Sequence, residues 1–218
     1  MKIHALLFIA LFVLRLSTQI SVTDRLWRNN EGTIKAILNH SFVQGMASGD
    51  LKKKNYDYYT DQDMMYLSYY SRASALAGVK TTNNSHFKSF LRIAQSTIVE
   101  REQVKNKTSM NPANIKYTEF LTSTARNMDP FYTAVAIAPC GVLYGYLGRE
   151  LAKIASPTTK YMEWITLYNS TDFETEVKVI EDLINDNNTP VVTDVVNKLY
   201  ETAMKYEYEF FDAAYRYE

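Results

Sequence analysis

Residues 53–79 read KKNYDYYTDQDMMYLSYYSRASALAGV, and this stretch decides the fold class. No glycine or proline interrupts it before Gly78. Four side chains recur at spacings of four, three and four residues: Tyr59, Asp63, Tyr66 and Tyr70. Side chains at these spacings share one face of an α-helix. The stretch therefore predicts one long helix with an aromatic stripe along one side.

The rest of the chain extends this helical pattern in both directions. Apolar residues recur at helical spacing in several further segments: Leu26 to Leu38, His40 to Ala47, His86 to Lys105, Ile115 to Asn127, Phe131 to Ala155, Tyr161 to Tyr168, Phe173 to Asn185, and from Pro190 onward. We find no strand alternation, internal repeat or linker. The sequence predicts an all-α, single-domain protein over residues 23–218.

Composition narrows the function classes. Lys and Arg number 24, as do Asp and Glu, among 218 residues. Nucleic-acid binders usually carry a clustered basic surplus, so this balance disfavours such a partner. With 46% hydrophobic and 22% charged residues the chain is an ordinary globular protein rather than a disordered one. The unusual features are 17 tyrosines and a single cysteine, Cys140.

The N-terminus is typical of a signal peptide. Lys2 precedes an apolar run from Ala5 to Leu14, and small and polar residues follow it. The alternative is an amphipathic first helix of the folded domain, but the run has no polar face. It is also shorter than the roughly 20 apolar residues that span a bilayer. We therefore expect residues 1–22 to be a cleaved leader, and we expect a secreted protein without stable membrane insertion.

Five N-x-[ST] sequons agree with export, beginning at Asn39, Asn83, Asn106, Asn169 and Asn187. Small secreted domains usually carry paired cysteines, whereas Cys140 has no intramolecular partner in the sequence. Cys140 is therefore either a buried small hydrophobe or a residue kept for its chemistry. The leader and the sequons together predict a secreted glycoprotein.

Pro139 leads to an expectation about Cys140. Proline removes a backbone donor and clashes inside a helix, so Pro139 should begin a new helical turn or kink the old one. Cys140 would then lie at a helix N-terminus, where backbone N–H groups and the helix dipole favour a thiolate.

Several kinds of chemistry are disfavoured by what the sequence lacks. The only histidines are His4 in the leader, His40 and His86, and the last two are more typical of capped or surface positions. Zinc and di-iron motifs, the G-x-S-x-G elbow and glycine-rich phosphate loops do not occur. We therefore expect no metal site and no cofactor, which leaves a thiol, carboxylates and phenols.

These groups fall in positions where they could meet. Cys140 and Tyr144 are four residues apart on one helix face, and Asp63 and Tyr66 are three apart. Glu207 lies on or beside the predicted buried face of the last helix: Val192, Val195, Leu199, Ala203, Tyr206, Phe210 and Ala213 or Ala214. An unpaired buried carboxylate is costly, and its pKa rises toward values useful for acid–base catalysis. The alternative is that the tyrosines form core and the acids make caps or ion pairs.

Six segments, in order, resemble the TenA family of thiaminase II proteins. They are HSFVQGMASGDL at 40–51, YYTDQDMMYL at 58–67, YTEFL at 117–121, APCGVLY at 138–144, YMEWITLY at 161–168 and YEYEFFDAAYR at 206–216. The resemblance runs from about Leu26 to the C-terminus. It implies a haem-oxygenase-like helical bundle without haem, assembled as a homotetramer, with a pocket for an aminopyrimidine or thiamine.

The resemblance also implies residue roles and an activity. Cys140 matches the nucleophile, Glu207 the catalytic glutamate, and Asp63 the aspartate that binds the aminopyrimidine edge. Four tyrosines match those that contact the ring: Tyr66, Tyr117, Tyr144 and Tyr168. The implied reaction is hydrolysis of thiamine or of aminomethyl-pyrimidine breakdown products to hydroxymethyl-pyrimidine.

The chain departs from the family at several positions. Ser41 stands where proline is common, Phe211 stands where tryptophan is usual, and a glycan on Asn169 would crowd the pocket unless that residue faces outward. Familiar members are also mostly intracellular. Two alternatives therefore stay open beside the hydrolase: a secreted protein that binds thiamine or its pyrimidine without turning it over, and an interaction protein that keeps only the fold.

Overall fold

A computed structural model describes residues 20–100, 109–186 and 192–218. In these ranges the chain forms ten α-helices and no β-strand: α1 Val22–Asn29, α2 Glu31–Leu38, α3 Ser41–Ser48, α4 Lys53–Lys80, α5 Asn84–Glu100, α6 Pro112–Asn127, α7 Pro130–Ala152, α8 Met162–Tyr168, α9 Thr171–Asn185 and α10 Asp194–Tyr215. The predicted all-α class is confirmed. Residues 1–19 of the expected leader and the sequons at Asn106 and Asn187 lie outside the described residues.

The helix predicted from the aromatic stripe is α4. It is 28 residues long, and Tyr59, Tyr66 and Tyr70 on the stripe are all buried. Tyr59 packs against Phe210 and Phe211 of α10 and Tyr66 packs against Tyr117 of α6, while α5 lies along the same helix. The stripe is therefore part of the protein interior. This is the expected place for large aromatic side chains that recur on one face of a helix.

The centre of the fold is α7, which contacts α4, α6, α8, α9 and α10. It is long and apolar enough to cross a membrane, but 72% of its most apolar window is buried against the other helices. Packing inside the protein therefore accounts for its apolar composition. Because α7 is surrounded, a side chain halfway along it lies near the middle of the molecule.

The N-terminal segment differs from the prediction of one helix between Leu26 and Leu38. Two helices form instead, α1 and α2, with Asn30 between them. The Asn30 side-chain amide donates to the Leu26 carbonyl at 2.9 Å, at the C-terminal end of α1. Asparagine offers the backbone this alternative partner, and the helix ends there.

The last helix also departs from the prediction. It begins at Asp194, with the Thr193 hydroxyl accepting from the Val196 backbone N–H at 3.3 Å, rather than at Pro190, which lies outside the described residues. Val195 is 49% exposed, so its predicted burial is wrong. Near the start of the helix the buried face lies one residue later than predicted, at Val196 and Tyr200 rather than Val195 and Leu199. The buried residues of the helix are Val196, Tyr200, Ala203, Met204, Glu207, Phe210, Phe211 and Ala214.

His40 and His86 both have local partners. His40 is the N-cap of α3, where its Nδ1 accepts from the Phe42 backbone N–H at 3.1 Å. His86 Nε2 lies 2.6 Å from a carboxylate oxygen of Asp186 and joins α5 to the end of α9. His40 thus occupies a helix-cap position, one of the two kinds of position expected for these histidines.

Candidate active site

A cavity with about 660 Å³ of empty space, part of it open to solvent, lies between α4, α5, α7, α8 and α9. Its walls are mainly apolar and aromatic: Asp63, Leu67, Tyr70, Ile93, Ser96, Thr97, Cys140, Gly141, Tyr144, Tyr168, Phe173, Glu176, Val177 and Ile180. Four of the seven predicted site residues are in this wall: Asp63, Cys140, Tyr144 and Tyr168.

The other three predicted residues form a buried group beside the cavity. The Tyr117 hydroxyl donates to Glu207 Oε1 at 2.8 Å, and the Tyr66 and Tyr117 rings are 4.6 Å apart. A negative charge on the Cys140 sulfur would raise the pKa of both phenols, so the thiol lies within electrostatic range of them. The structure thus brings all seven predicted residues to one place, although three are covered by the wall.

Glu207 is the one carboxyl in this buried group. Its side chain is buried, and loss of water raises its pKa from 4.5 to about 7. Tyr117 and Tyr144 stabilise the ionised form and so limit the rise. At neutral pH the carboxyl is therefore present in both protonation states, which suits a group that both gives and takes a proton.

The surrounding phenols stay neutral. Burial is the largest cause that raises the pKa of Tyr66, Tyr117 and Tyr144 well above 10, and the negative charge of Glu207 raises each further. Neutral phenols donate hydrogen bonds. The hydroxyl of Tyr66 is buried and makes no hydrogen bond of normal geometry among the described residues; its nearest phenol is Tyr117, which raises the Tyr66 pKa further.

Cys140 is not at a helix N-terminus, so that expectation is wrong. Helix α7 runs unbroken from Pro130 to Ala152 with Pro139 in its interior. The residues before Pro139 are fully buried, so packing on several sides holds the helix together despite the missing backbone donor. Any stabilisation of a Cys140 thiolate must come from side chains around the cavity rather than from a helix end.

A cluster of aromatic side chains positions Tyr168 in the cavity wall. Tyr168 packs against Tyr144 and Trp164 at ring distances of 5.1 and 4.5 Å. Trp164 Nε1 donates to the Tyr59 hydroxyl at 3.3 Å. Gly148 makes this packing possible, because a Cβ there would lie 2.5 Å from the Tyr168 backbone carbonyl carbon.

Sequence reasoning missed the residues that α5 and α9 contribute: Ile93, Ser96, Thr97, Phe173, Glu176, Val177 and Ile180. A helix surface glutamate such as Glu176 looks the same in sequence whether it faces bulk solvent or a cavity. No basic side chain is among the described residues of the wall. Nor do the described ranges contain a group of three or more His, Cys, Asp or Glu that could hold a metal ion.

The chain is similar to proteins of thiamine metabolism. It is 25% identical over 214 residues to the aminopyrimidine aminohydrolase of Helicobacter pylori, covering 89% of this chain and 99% of that one. It is 28% identical over 207 residues to the mitochondrial bifunctional TH2 protein of Arabidopsis thaliana, covering 79% of this chain. The chain spans about a third of the length of that plant protein, 34%.

Solved structures share the fold. The TenA homologue from P. horikoshii superposes with a TM-score of 0.82 at 24% identity, covering 90% of this chain and 99% of that one. A Shewanella denitrificans domain described as having a heme oxygenase-like fold gives a TM-score of 0.67 at 15% identity, covering 91% and 94%. The predicted haem-oxygenase-like fold is thus confirmed. A sequence profile of the TENA/THI-4/PQQC family matches residues 27–217, and this protein belongs to that family.

Proposed function

We propose that this protein is an aminopyrimidine aminohydrolase of the thiaminase II type. The observation that carries the proposal is that Cys140 on the cavity wall and the buried carboxyl of Glu207, whose pKa is raised to about 7, are both close enough to Tyr66 and Tyr117 to raise the pKa of these phenols. A thiol nucleophile beside a group that exchanges protons at neutral pH is the arrangement that nucleophilic catalysis needs. Its similarity to relatives named aminopyrimidine aminohydrolase supports the same activity.

The proposed reaction begins with the Cys140 thiolate adding to a carbon of the pyrimidine ring, while a ring nitrogen takes a proton from Glu207. The electron pair then returns through the ring and breaks the bond between the exocyclic methylene and its leaving nitrogen, which is positively charged as an ammonium or thiazolium and departs neutral. Water adds to the methylene carbon and gives a proton to Glu207. The thiolate then leaves the ring, and the ring nitrogen releases the proton it took in the first step to the freed ammonia or to solvent. The balance is aminomethyl-pyrimidine and water to hydroxymethyl-pyrimidine and ammonia; with thiamine the leaving group is the thiazole.

The other predicted residues have supporting roles in this proposal. Asp63 accepts hydrogen bonds from the aminopyrimidine edge. Tyr144 and Tyr168 hold the ring from the cavity wall, and Tyr117 positions Glu207 through the 2.8 Å bond. The Tyr66 hydroxyl, which makes no hydrogen bond of normal geometry among the described residues, is available to donate to the bound ring or to the thiolate.

Turnover of thiamine and of aminomethyl-pyrimidine by Cys140→Ser tests the mechanism. We expect a loss of at least about 100-fold in kcat, since a hydroxyl is a far weaker nucleophile than a thiolate. The control is Val142→Ala, two residues along α7 and outside the cavity wall, which should keep most of the activity. Undiminished turnover by the serine variant would contradict the mechanism. Tight binding by wild type without any product would favour the non-catalytic binding protein instead.

We further propose that the protein is exported and glycosylated. The apolar run at residues 5–14 and the sequons support this, and the sequon asparagines in the described ranges, Asn39, Asn83 and Asn169, are all exposed. Expression in secretory cells should deliver protein to the medium with a new N-terminus between Ser17 and Thr23 and a mass that falls on glycosidase treatment. Retention in the cytosol with Met1 intact would contradict it.

The homotetramer implied by the family resemblance is likewise a proposal. Light scattering on the purified protein should give about four times the chain mass of 25.1 kDa, less the leader and plus any glycans. A monomer at micromolar concentration would contradict it.

A further inference from the structure

Helices α5 and α9 meet over the cavity at one charged pair. Arg92 on α5 donates to Glu176 on α9, with Nη2 at 2.8 Å and Nε at 3.2 Å from Oε1. Both side chains are partly exposed, 50% for Arg92 and 35% for Glu176. Only Glu176 is part of the cavity wall. The pair therefore turns its negative end inward and its positive end outward.

The position of Glu176 marks the mouth of the cavity. It lines the wall and is also partly exposed, and the neighbouring wall residue Ser96 is exposed. The charged residues of the described wall are Asp63 and Glu176, both acidic. A ligand that reaches Cys140 therefore enters past the Glu176 carboxylate, whose charge is balanced only from outside the wall, by Arg92.

We infer that Glu176 determines charge selectivity at this mouth, favouring ligands whose outer half is cationic and rejecting those with a phosphate there. The inference rests on the proposed function, since the aminopyrimidine half must lie against Cys140. The other half of the substrate then extends toward the mouth. Thiamine places its cationic thiazolium in that direction, and the monophosphate ester would add a negatively charged group at its end.

The competing interpretation is that the Arg92–Glu176 ion pair is purely structural and only holds α5 against α9. The two interpretations predict different changes in the preference for thiamine over its monophosphate. Loss of Glu176 removes the inward negative charge, whereas loss of Arg92 leaves that charge unopposed. If Glu176 selects ligands by charge, Glu176→Gln and Arg92→Gln change the ligand preference in opposite directions. If the ion pair is purely structural, both variants have the same effect, because each breaks the same contact.

The experiment measures binding of thiamine and of thiamine monophosphate by calorimetry, and turnover of both by chromatography. We expect wild type to prefer thiamine and Glu176→Gln to reduce that preference by about 3- to 10-fold, the size of one partly screened charge interaction. Arg92→Gln should increase the preference, and raised ionic strength should weaken both effects. The control is Lys178→Gln, which breaks the Lys178–Asp182 pair at 2.8 Å on the exposed side of the same helix and should change nothing.

Equal binding of the two ligands by wild type, or a change in the same direction for both variants, would overturn the inference and leave the proposed function intact. Selective binding with opposite variant effects but no product would support the inference and contradict the hydrolase. Failure of wild type to bind either ligand would overturn both.

Discussion

Glu207 is a carboxyl group in a place where ionisation is unfavourable. It is 2% exposed on the buried face of α10, and its pKa is raised from 4.5 to about 7. The unfolded chain releases this proton from about pH 4.5 upward, while the folded protein keeps it until about pH 7. The contribution of Glu207 to stability is therefore fully present below 4.5 and is lost as the pH rises through 7.

Glu207→Gln should remove this pH dependence. We expect wild type to lose up to about 3 kcal/mol of unfolding free energy from this group between pH 4.5 and 8. The glutamine variant should lose much less, while its turnover collapses because it has no proton to exchange. Urea denaturation across that pH range measures the first effect and a product assay the second. Glu209→Gln, a partly exposed neighbour on α10, should behave as wild type, and a parallel profile for the two variants would contradict the assignment.

Tyr66 and Tyr117 form a matched pair for a second prediction. Tyr66 has a buried hydroxyl that makes no hydrogen bond of normal geometry among the described residues, whereas Tyr117 donates to Glu207. Tyr66→Phe should leave the ligand-free protein as stable as wild type or up to about 1 kcal/mol more stable, and Tyr117→Phe should lose about 1 to 2 kcal/mol at pH 8. Ligand affinity should fall for Tyr66→Phe. Equal destabilisation by both variants would show that Tyr66 has a structural partner.

At the level of residues, much of the site could be predicted from the sequence. Helical spacing predicted which helix faces carry Cys140, Asp63 and Tyr144, and the family resemblance predicted that these residues and the other three tyrosines share one site. The contribution of Glu176 could not be predicted, because its role depends on how α9 lies over the cavity.

Among the helices, α7 shows where local rules fail. Pro139 predicts a new helical turn or a kink, and no new helix begins there, because burial by the surrounding helices outweighs one missing hydrogen bond. The same limit explains α10, where the prediction placed Val195 on the inner face and the structure buries Val196. Helical spacing alone does not show which of two adjacent valines is buried.

The approach of α8 to α7 gives a third prediction. A Cβ at Gly148 would lie 2.5 and 2.7 Å from the backbone of Tyr168 and Asn169. Gly148→Ala should therefore push the end of α8 outward, cost about 1 to 3 kcal/mol of stability and weaken ligand binding through Tyr168. Gly32→Ala, with nothing within 4 Å of its Cβ, should be neutral or stabilising. Thermal melts with ligand titration compare the two, and equal behaviour would mean that α8 adjusts without cost.

For the whole molecule, the all-α class followed from the helical period of residues 53–79, which no glycine or proline interrupts before Gly78, and from the helical spacing of the other segments. The arrangement of the helices did not follow from these patterns, since many bundles satisfy them. It came from the resemblance, and the TM-score of 0.82 to a TenA homologue supports it. The cavity exists because α5 and α9 cover one side of α7, which only the assembled fold reveals.

In the proposed reaction, Cys140 and Glu207 together replace an amine on an aminopyrimidine with a hydroxyl from water. The most direct measurement incubates the purified protein with aminomethyl-pyrimidine in water labelled with heavy oxygen and identifies the products by mass. We expect labelled hydroxymethyl-pyrimidine and an equal amount of ammonia from wild type, and almost none from Cys140→Ser. Unchanged substrate with wild type, or equal product from the serine variant, would contradict it.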